Sequence, residues 1–284
     1  MTNVTDYLRQ SHMPHIWCPG CGNGIVMGNI IRAIDELGLD RDKTVIVSGI
    51  GCSSRAPGYM DFDTLHTAHG RALPFATGIK MANPELNVIV ISGDGDATAI
   101  GGNHFIHACR RNVNMTLVVV NNCIYGMTSG QYSPMTPTGK FATTAVYGNI
   151  DRPFDLVNLA EGAGATYVAR GSVYHAMQTK NYIKHAIEHK GFSVVECLST
   201  CPTYYGRRNK IGDAVTMMER LRDDCTMLKP GVTEYDKPFV IGEFVNKQAK
   251  EYTEAYDEVI MKAGGKKYWV SVLNSVSAVP ADRA

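Results

Sequence analysis

No apolar run in this chain approaches the roughly 18 residues that a membrane span needs. The stretch from Met1 to Trp17 is polar and has no apolar signal-peptide core. Neither sign of charge is in excess: 28 Lys and Arg stand against 27 Asp and Glu, a net charge of +1. That balance gives no sign of a basic nucleic-acid arm or an acidic tail. Internal repeats and low-complexity segments are also missing. These absences make a soluble cytoplasmic protein the expectation, with neither nucleic acid nor membrane among its partners.

Cysteine, by contrast, is plentiful at eight residues. Disulfides would suit a small secreted domain, but this chain is 284 residues long and sets Cys18 and Cys21 in a Gly/Pro-rich loop. Metal or cluster ligation is the better expectation there.

Apolar residues recur at helical spacing from Ile25 to Leu37, and Gly38 stops the helix. Thr44–Ser48 is a β-branched run, as are Val88–Ile91, Leu117–Val120 and Phe192–Leu198, which predicts buried strands. Leu65–Ala82 reads as a glycine-interrupted helix ending at Asn83-Pro84. Further helices are expected over Ala99–Arg111, Phe154–Ala163 and Tyr174–His189, and an extended segment over Thr166–Ala169. Residues 123–150 lack a period and suit a ligand-facing loop. Alternating strands and helices predict an α/β fold, a doubly wound and mostly parallel sheet. Residues 1–229 read as one such domain. Residues 230–284 read as a C-terminal extension packing on a partner subunit.

Gly93-Asp94-Gly95-Asp96 closes one strand-like run, and Asn121-Asn122 closes the next. The 28 positions from Asp94 to Asn122 accommodate one helix and one strand, so both tips should meet at one edge of a parallel sheet. Glycines 93 and 95 allow close backbone approach, and the following helix offers free N–H groups to phosphate. Asp94 and Asn122 supply the hard oxygens that magnesium prefers. Each motif alone could be only a turn. Their pairing favours a diphosphate and metal site.

Cys52 follows the run 44–48, and Cys201 follows 192–198. Both therefore belong to the same sheet edge as Asp94. Structural zinc sites usually collect two close pairs in a local module. Here the third thiol lies 31 residues after Cys21 and the fourth 149 residues further on. Ligands gathered across a whole domain beside a cofactor suit a redox centre, and four thiolates (Cys18, Cys21, Cys52, Cys201) suit a 4Fe–4S cluster. Cys109 and Cys197 read as buried small hydrophobes.

In sum, Trp17-Cys18-Pro19-Gly20-Cys21-Gly22, Gly51-Cys52-Ser53-Ser54-Arg55, His69-Gly70-Arg71, Gly93-Asp94-Gly95-Asp96, Asn121-Asn122 and Tyr125-Gly126-Met127-Thr128 closely resemble the β subunit of 2-oxoacid:ferredoxin oxidoreductases. The stretch Gly58–His66 is most similar to the 2-oxoglutarate members. The resemblance implies the thiamine diphosphate-binding fold, with Mg²⁺ held by Asp94, Asn122 and the Ile124 carbonyl. It implies cofactor contacts from Gly51, Cys52, Ser53, His69, Gly93, Asp94, Gly95, Asp96, Asn122, Ile124, Gly126, Met127 and Thr128. It gives Arg55 a place against the substrate carboxylate, and sets His69 and Met127 near the reaction centre. A solvated arginine, a structural histidine and a core methionine are the alternatives. The implied reaction joins a 2-oxoacid, coenzyme A and ferredoxin in either direction. An α subunit supplies the missing pyrimidine-side domain, in an α2β2 heterotetramer. A cofactor-bearing enzyme without redox function and a zinc-stabilised scaffold are the rival readings.

Overall fold

The computed structural model describes residues 3–264, and no helix among them is long and apolar enough to cross a membrane. The strands are Thr44–Ser48 (β1), Asp63–His66 (β2), Asn87–Gly93 (β3), Met115–Asn121 (β4), Tyr167–Ser172 (β5), Phe192–Leu198 (β6), Cys225–Met227 (β7) and Phe239–Asn246 (β8). The helices are Asn23–Leu37 (α1), Ala56–Tyr59 (α2), Ala72–Ala82 (α3), Gly102–Arg111 (α4), Leu156–Gly162 (α5), Ala176–Glu188 (α6), Ala214–Asp224 (α7) and Tyr252–Lys262 (α8). The sheet order is β2-β1-β3-β4-β6-β5-β8-β7, and every pairing is parallel except β5 with β8.

Strand periodicity sorts the core into two layers. Ile89, Ile91, Val118 and Val120 point to the side covered by Ile30, Ile31 and Ile34 of α1 and Ile183 of α6. Val88, Val90, Leu117 and Val119 point to the other side, against Ala76 of α3, Phe105 of α4 and Leu156 of α5. Strands buried on both faces explain why β3, β4 and β6 read as continuous apolar runs. α1 stops where Gly38 enters the left-handed region at φ 62, with its N–H on Asp35 and that of Leu39 on Ile34.

Three expectations are corrected. Leu65 and His66 belong to β2, an edge strand paired with β1, and the helix begins only at Ala72. Gly70, at φ +69, breaks the pattern between them. A π-helical turn, Asp96–Ile100, precedes α4. The segment from 230 onward is not simply an appendage: β8 lies within the sheet between β5 and β7. Residues 265–284 of the expected extension lie outside the described residues.

Lys80 in α3 is 5% exposed, and its Nζ donates to the Leu86 carbonyl over 2.6 Å. Burial pulls its pKa down to about 8 from an ordinary value of 10.5. Below pH 8 both folded and unfolded chains carry this charge, so its burial cost is constant. Between about pH 8 and 10.5 the folded lysine loses its proton first, and stability rises with pH. Relative to Lys80→Met, the wild-type unfolding free energy should therefore gain about 3 kcal/mol across that window. Denaturant titrations at pH 7.5 and 10.5 check it.

Candidate active site at the carboxyl edge of the sheet

Loops leaving β1, β2, β3 and β4 enclose a cavity of ≈ 130 Å³ beyond the strand ends. From β1 come Gly51, Cys52 and Ser53, from β2 His69, and from β3 Gly93, Asp94, Gly95 and Asp96. The loop after β4 adds Asn122, Ile124, Tyr125, Gly126, Met127 and Thr128. All thirteen residues expected to contact cofactor thus line one hollow. Cys123 adopts φ 61, and this left-handed kink brings Asn122 and Ile124 to the same wall.

Asp94 is 3% exposed, and its Oδ2 accepts a hydrogen bond from Ser133 Oγ at 2.5 Å. Burial raises its carboxyl pKa to about 7. Among the described residues no Lys, Arg or His pairs with it in a salt bridge. A buried carboxylate with no counter-charge fits a divalent cation, which would supply one. Asn122 Oδ1 accepts from the Ile124 N–H at 3.2 Å and keeps a second lone pair.

Asp96 has a different task. Its Oδ1 accepts from Gly70 N at 2.7 Å and Ile50 N at 3.3 Å, and lies 2.6 Å from His69 Nδ1. Its Oδ2 accepts from Ser92 Oγ at 2.5 Å. The carboxylate thereby ties the loops after β1, β2 and β3 together and orients the His69 ring, which meets Tyr125 edge-on at 5.8 Å. Gly95 admits this same tyrosine: a Cβ there would lie 2.2 Å from the ring, and the Tyr125 hydroxyl donates to Gly95 O at 3.0 Å.

A second cavity of ≈ 230 Å³ adjoins the first, lined by Cys18, Cys21, Cys52 and Cys201 with Trp17 and Tyr204. Cys52, Asn122, Gly126 and Met127 line both hollows. Gly126 lies between: a Cβ there would sit 3.3 Å from Cys52 Sγ and 3.8 Å from Cys201 Sγ. Three distant segments are tied here by Trp17 Nε1–H on Cys52 O at 2.7 Å and Thr200 Oγ1–H on Gly20 O at 2.8 Å. Burial lifts the Cys21 and Cys201 thiols and pushes Cys52 to about 11. Such thiols ionise when a metal takes their protons' place. Among the described residues no three His, Cys, Asp or Glu side chains could hold one metal ion. A cavity of several water-sized volumes ringed by four thiols fits a polynuclear group better than single zinc. Cys109 and Cys197 are fully buried in the two core layers.

Arg55 does not reach either hollow. Its Nη2 lies 3.3 Å from His66 Nε2, and His66 Nδ1 lies 3.0 Å from Ser48 Oγ. Met127 is 44% exposed, so it is a cavity wall rather than core filling.

Ser133 and a buried ionic chain were not anticipated, and Tyr125 stood in a quoted motif without a role. Glu196, 1% exposed in β6, accepts from Asn121 Nδ2 at 2.7 Å and from Arg170 Nε at 2.6 Å. Arg170 Nη2 donates on to Asp155 Oδ1 at 2.7 Å. Asn121 Oδ1 in turn accepts from Cys123 N at 3.1 Å, steadying the cavity wall. A glutamate inside the apolar run Phe192–Leu198 was the readable signal. Glu196→Ala leaves Arg170 with only the half-exposed Asp155 carboxylate as partner and should lower the unfolding free energy by up to about 3 kcal/mol, measured by urea denaturation.

The fold and this sheet edge are those of a thiamine diphosphate-binding enzyme domain, as the family match shows. Residues 49–197 match the family model described as thiamine pyrophosphate enzyme, C-terminal TPP binding domain. The 2-oxoglutarate synthase subunit KorB of Methanothermobacter marburgensis is 48% identical over 264 residues, covering 92% of this chain and 93% of that protein. Its counterpart from Archaeoglobus fulgidus is 51% identical over 259 residues, covering 90% and 94%. A solved 2-oxoglutarate:ferredoxin oxidoreductase from Magnetococcus marinus, with 2-oxoglutarate, coenzyme A and succinyl-CoA bound, superposes at a TM-score of 0.84. It is 35% identical and covers 97% of this chain and 95% of that one. The chain belongs to the family of KorB-type β subunits of 2-oxoacid:ferredoxin oxidoreductases.

Proposed function

We propose that this chain is the cofactor-bearing β subunit of an enzyme that interconverts 2-oxoglutarate, coenzyme A and oxidised ferredoxin with succinyl-CoA, CO₂ and reduced ferredoxin. The observation that carries it is the pair of adjoining cavities with Cys52, Asn122, Gly126 and Met127 in their common wall. Asp94, Asn122 and the Ile124 carbonyl would hold Mg²⁺, and Cys18, Cys21, Cys52 and Cys201 a 4Fe–4S cluster. Bound thiamine diphosphate would supply the electron sink for 2-oxoacid decarboxylation, and a cluster on the four thiols would supply one-electron transfer.

The residues of the chain hold and orient. Gly93 and the start of the helical turn beside it line the cavity where they would meet the diphosphate, while Asp96 fixes the His69 ring at the cavity wall. Met127 lines the wall common to the coenzyme hollow and the thiol cavity. A substrate role for Arg55 requires its side chain to leave His66 and turn toward the hollow. The pyrimidine-side domain is expected from an α subunit. Tyr147, Ile150 and Phe154, at 98%, 90% and 46% exposure, offer it an apolar surface.

Anaerobic co-purification with the α subunit tests the reading. We expect a brown complex that reduces ferredoxin with 2-oxoglutarate and coenzyme A far faster than with pyruvate. Faster turnover of pyruvate would reassign the substrate, and a colourless complex with one zinc per chain would replace the redox reading by the scaffold.

A further inference from the structure

Asn23 opens α1 and is 3% exposed. Its Nδ2–H donates to Cys21 Sγ over 3.1 Å, and its backbone N–H donates to the same sulfur. Its Oδ1 is buried without a hydrogen-bond partner. Burying a bare amide oxygen costs stability that an aliphatic side chain would not. Turning the amide over would aim its carbonyl at the sulfur and be worse. The residue is thus kept for its donor. Cys52 and Cys201 take main-chain donors, the N–H groups of Met127 and of Tyr204 and Tyr205. Among the described residues, Asn23 supplies the side-chain hydrogen bond to the four sulfurs lining this cavity.

Hydrogen bonds to cluster sulfurs favour the more negative, reduced state and raise the reduction potential. We propose that Asn23 sets the potential of the cluster held by Cys18, Cys21, Cys52 and Cys201, an inference that rests on the cluster reading above. The step is a one-electron couple. The cluster would take one of the two electrons released by oxidation of the 2-oxoacid and give it up to ferredoxin before taking the second, and no bond to the protein forms or breaks. Asn23 is a positioning and tuning residue and touches no substrate.

The test uses the full chain, purified anaerobically with its α subunit, as wild type, Asn23→Leu and Asn23→Asp. Iron and sulfide are counted, and the potential is read from the electron paramagnetic resonance signal during mediated dithionite titration. Both variants should keep the wild-type iron content and take up an electron about tenfold less favourably, a shift of about 59 mV to more negative potential. Asn23→Asp, which adds negative charge, should move at least as far as Asn23→Leu. Equal potentials in all three proteins would overturn the inference while leaving the cluster reading intact. Loss of iron from both variants would also overturn it, because that assigns Asn23 to cluster retention. Wild-type protein without iron would remove the cluster reading itself, and this inference with it.

Discussion

Asp94→Ala is expected to weaken binding of Mg²⁺ and thiamine diphosphate by more than about 100-fold while leaving the iron content of the chain unchanged. The size follows from where the carboxylate sits. It is buried, carries one hydroxyl hydrogen bond, and has no salt-bridge partner among the described residues. A cation bound there gains a desolvated anionic ligand that neither Asn122 nor a backbone carbonyl can replace. The sign with pH follows too. Burial holds the free carboxyl at about 7, so protons compete with the cation below that value. Affinity should rise as pH climbs toward 7 and level off above it. In Asp94→Asn, which has no such proton, that slope should disappear. Isothermal titration calorimetry in buffers of different ionisation enthalpy measures affinity and released protons together. Loss of iron alongside loss of coenzyme would mean that the two hollows depend on one another structurally.

Much of this arrangement was readable in the chain because parallel strands buried on both faces leave an unmistakable pattern. β3, β4 and β6 are mainly apolar runs, and each is followed by a residue with ligand chemistry: Asp94, Asn122 and Cys201. The edge elements were not readable. β2 is four residues long and exposed at both ends, so its pattern carries no buried face. β8 alternates only partly and includes Gly242, and its partner β5 lies some seventy residues earlier. The same limit applies inside the site. Gly-Asp-Gly and Asn-Asn announce themselves by local chemistry, whereas Ser133 reaches Asp94 across 39 positions and Asn121 reaches Glu196 across 75. Hydrogen bonds of that range depend on how the loops cross. Nothing next to Ser133 in sequence signals them. Arg55 is the opposite case: the local motif suggested a role, and the fold gave the side chain a neighbour, His66 at the end of β2, instead of a place in the cavity lining.

Cys201→Ala should empty the chain of iron, whereas Cys197→Ala should keep a full complement and lose only about 1 kcal/mol of stability. The two residues are four positions apart and have opposite surroundings. Cys197 is fully buried in β6 and faces the layer that contains Val120 and Ile183, with its thiol far from any ionised state. Its sulfur can reach a cavity only if the strand leaves the sheet, which would break the parallel pairing with Val120 of β4. Cys201 lies past the strand, after Ser199 has made its last bond to Asn121 O, and turns into the helical stretch 202–206. There it lines the cavity with Cys18, Cys21 and Cys52 and receives the N–H groups of Tyr204 and Tyr205. With one of four thiolates removed, one iron would lack a protein ligand, so the loss of iron should be nearly complete. Iron analysis and the visible absorption of both variants, beside their thermal unfolding, decide the matter. Retention of iron in Cys201→Ala together with its loss in Cys197→Ala would move the fourth ligand into the strand and with it the geometry of the whole redox wall.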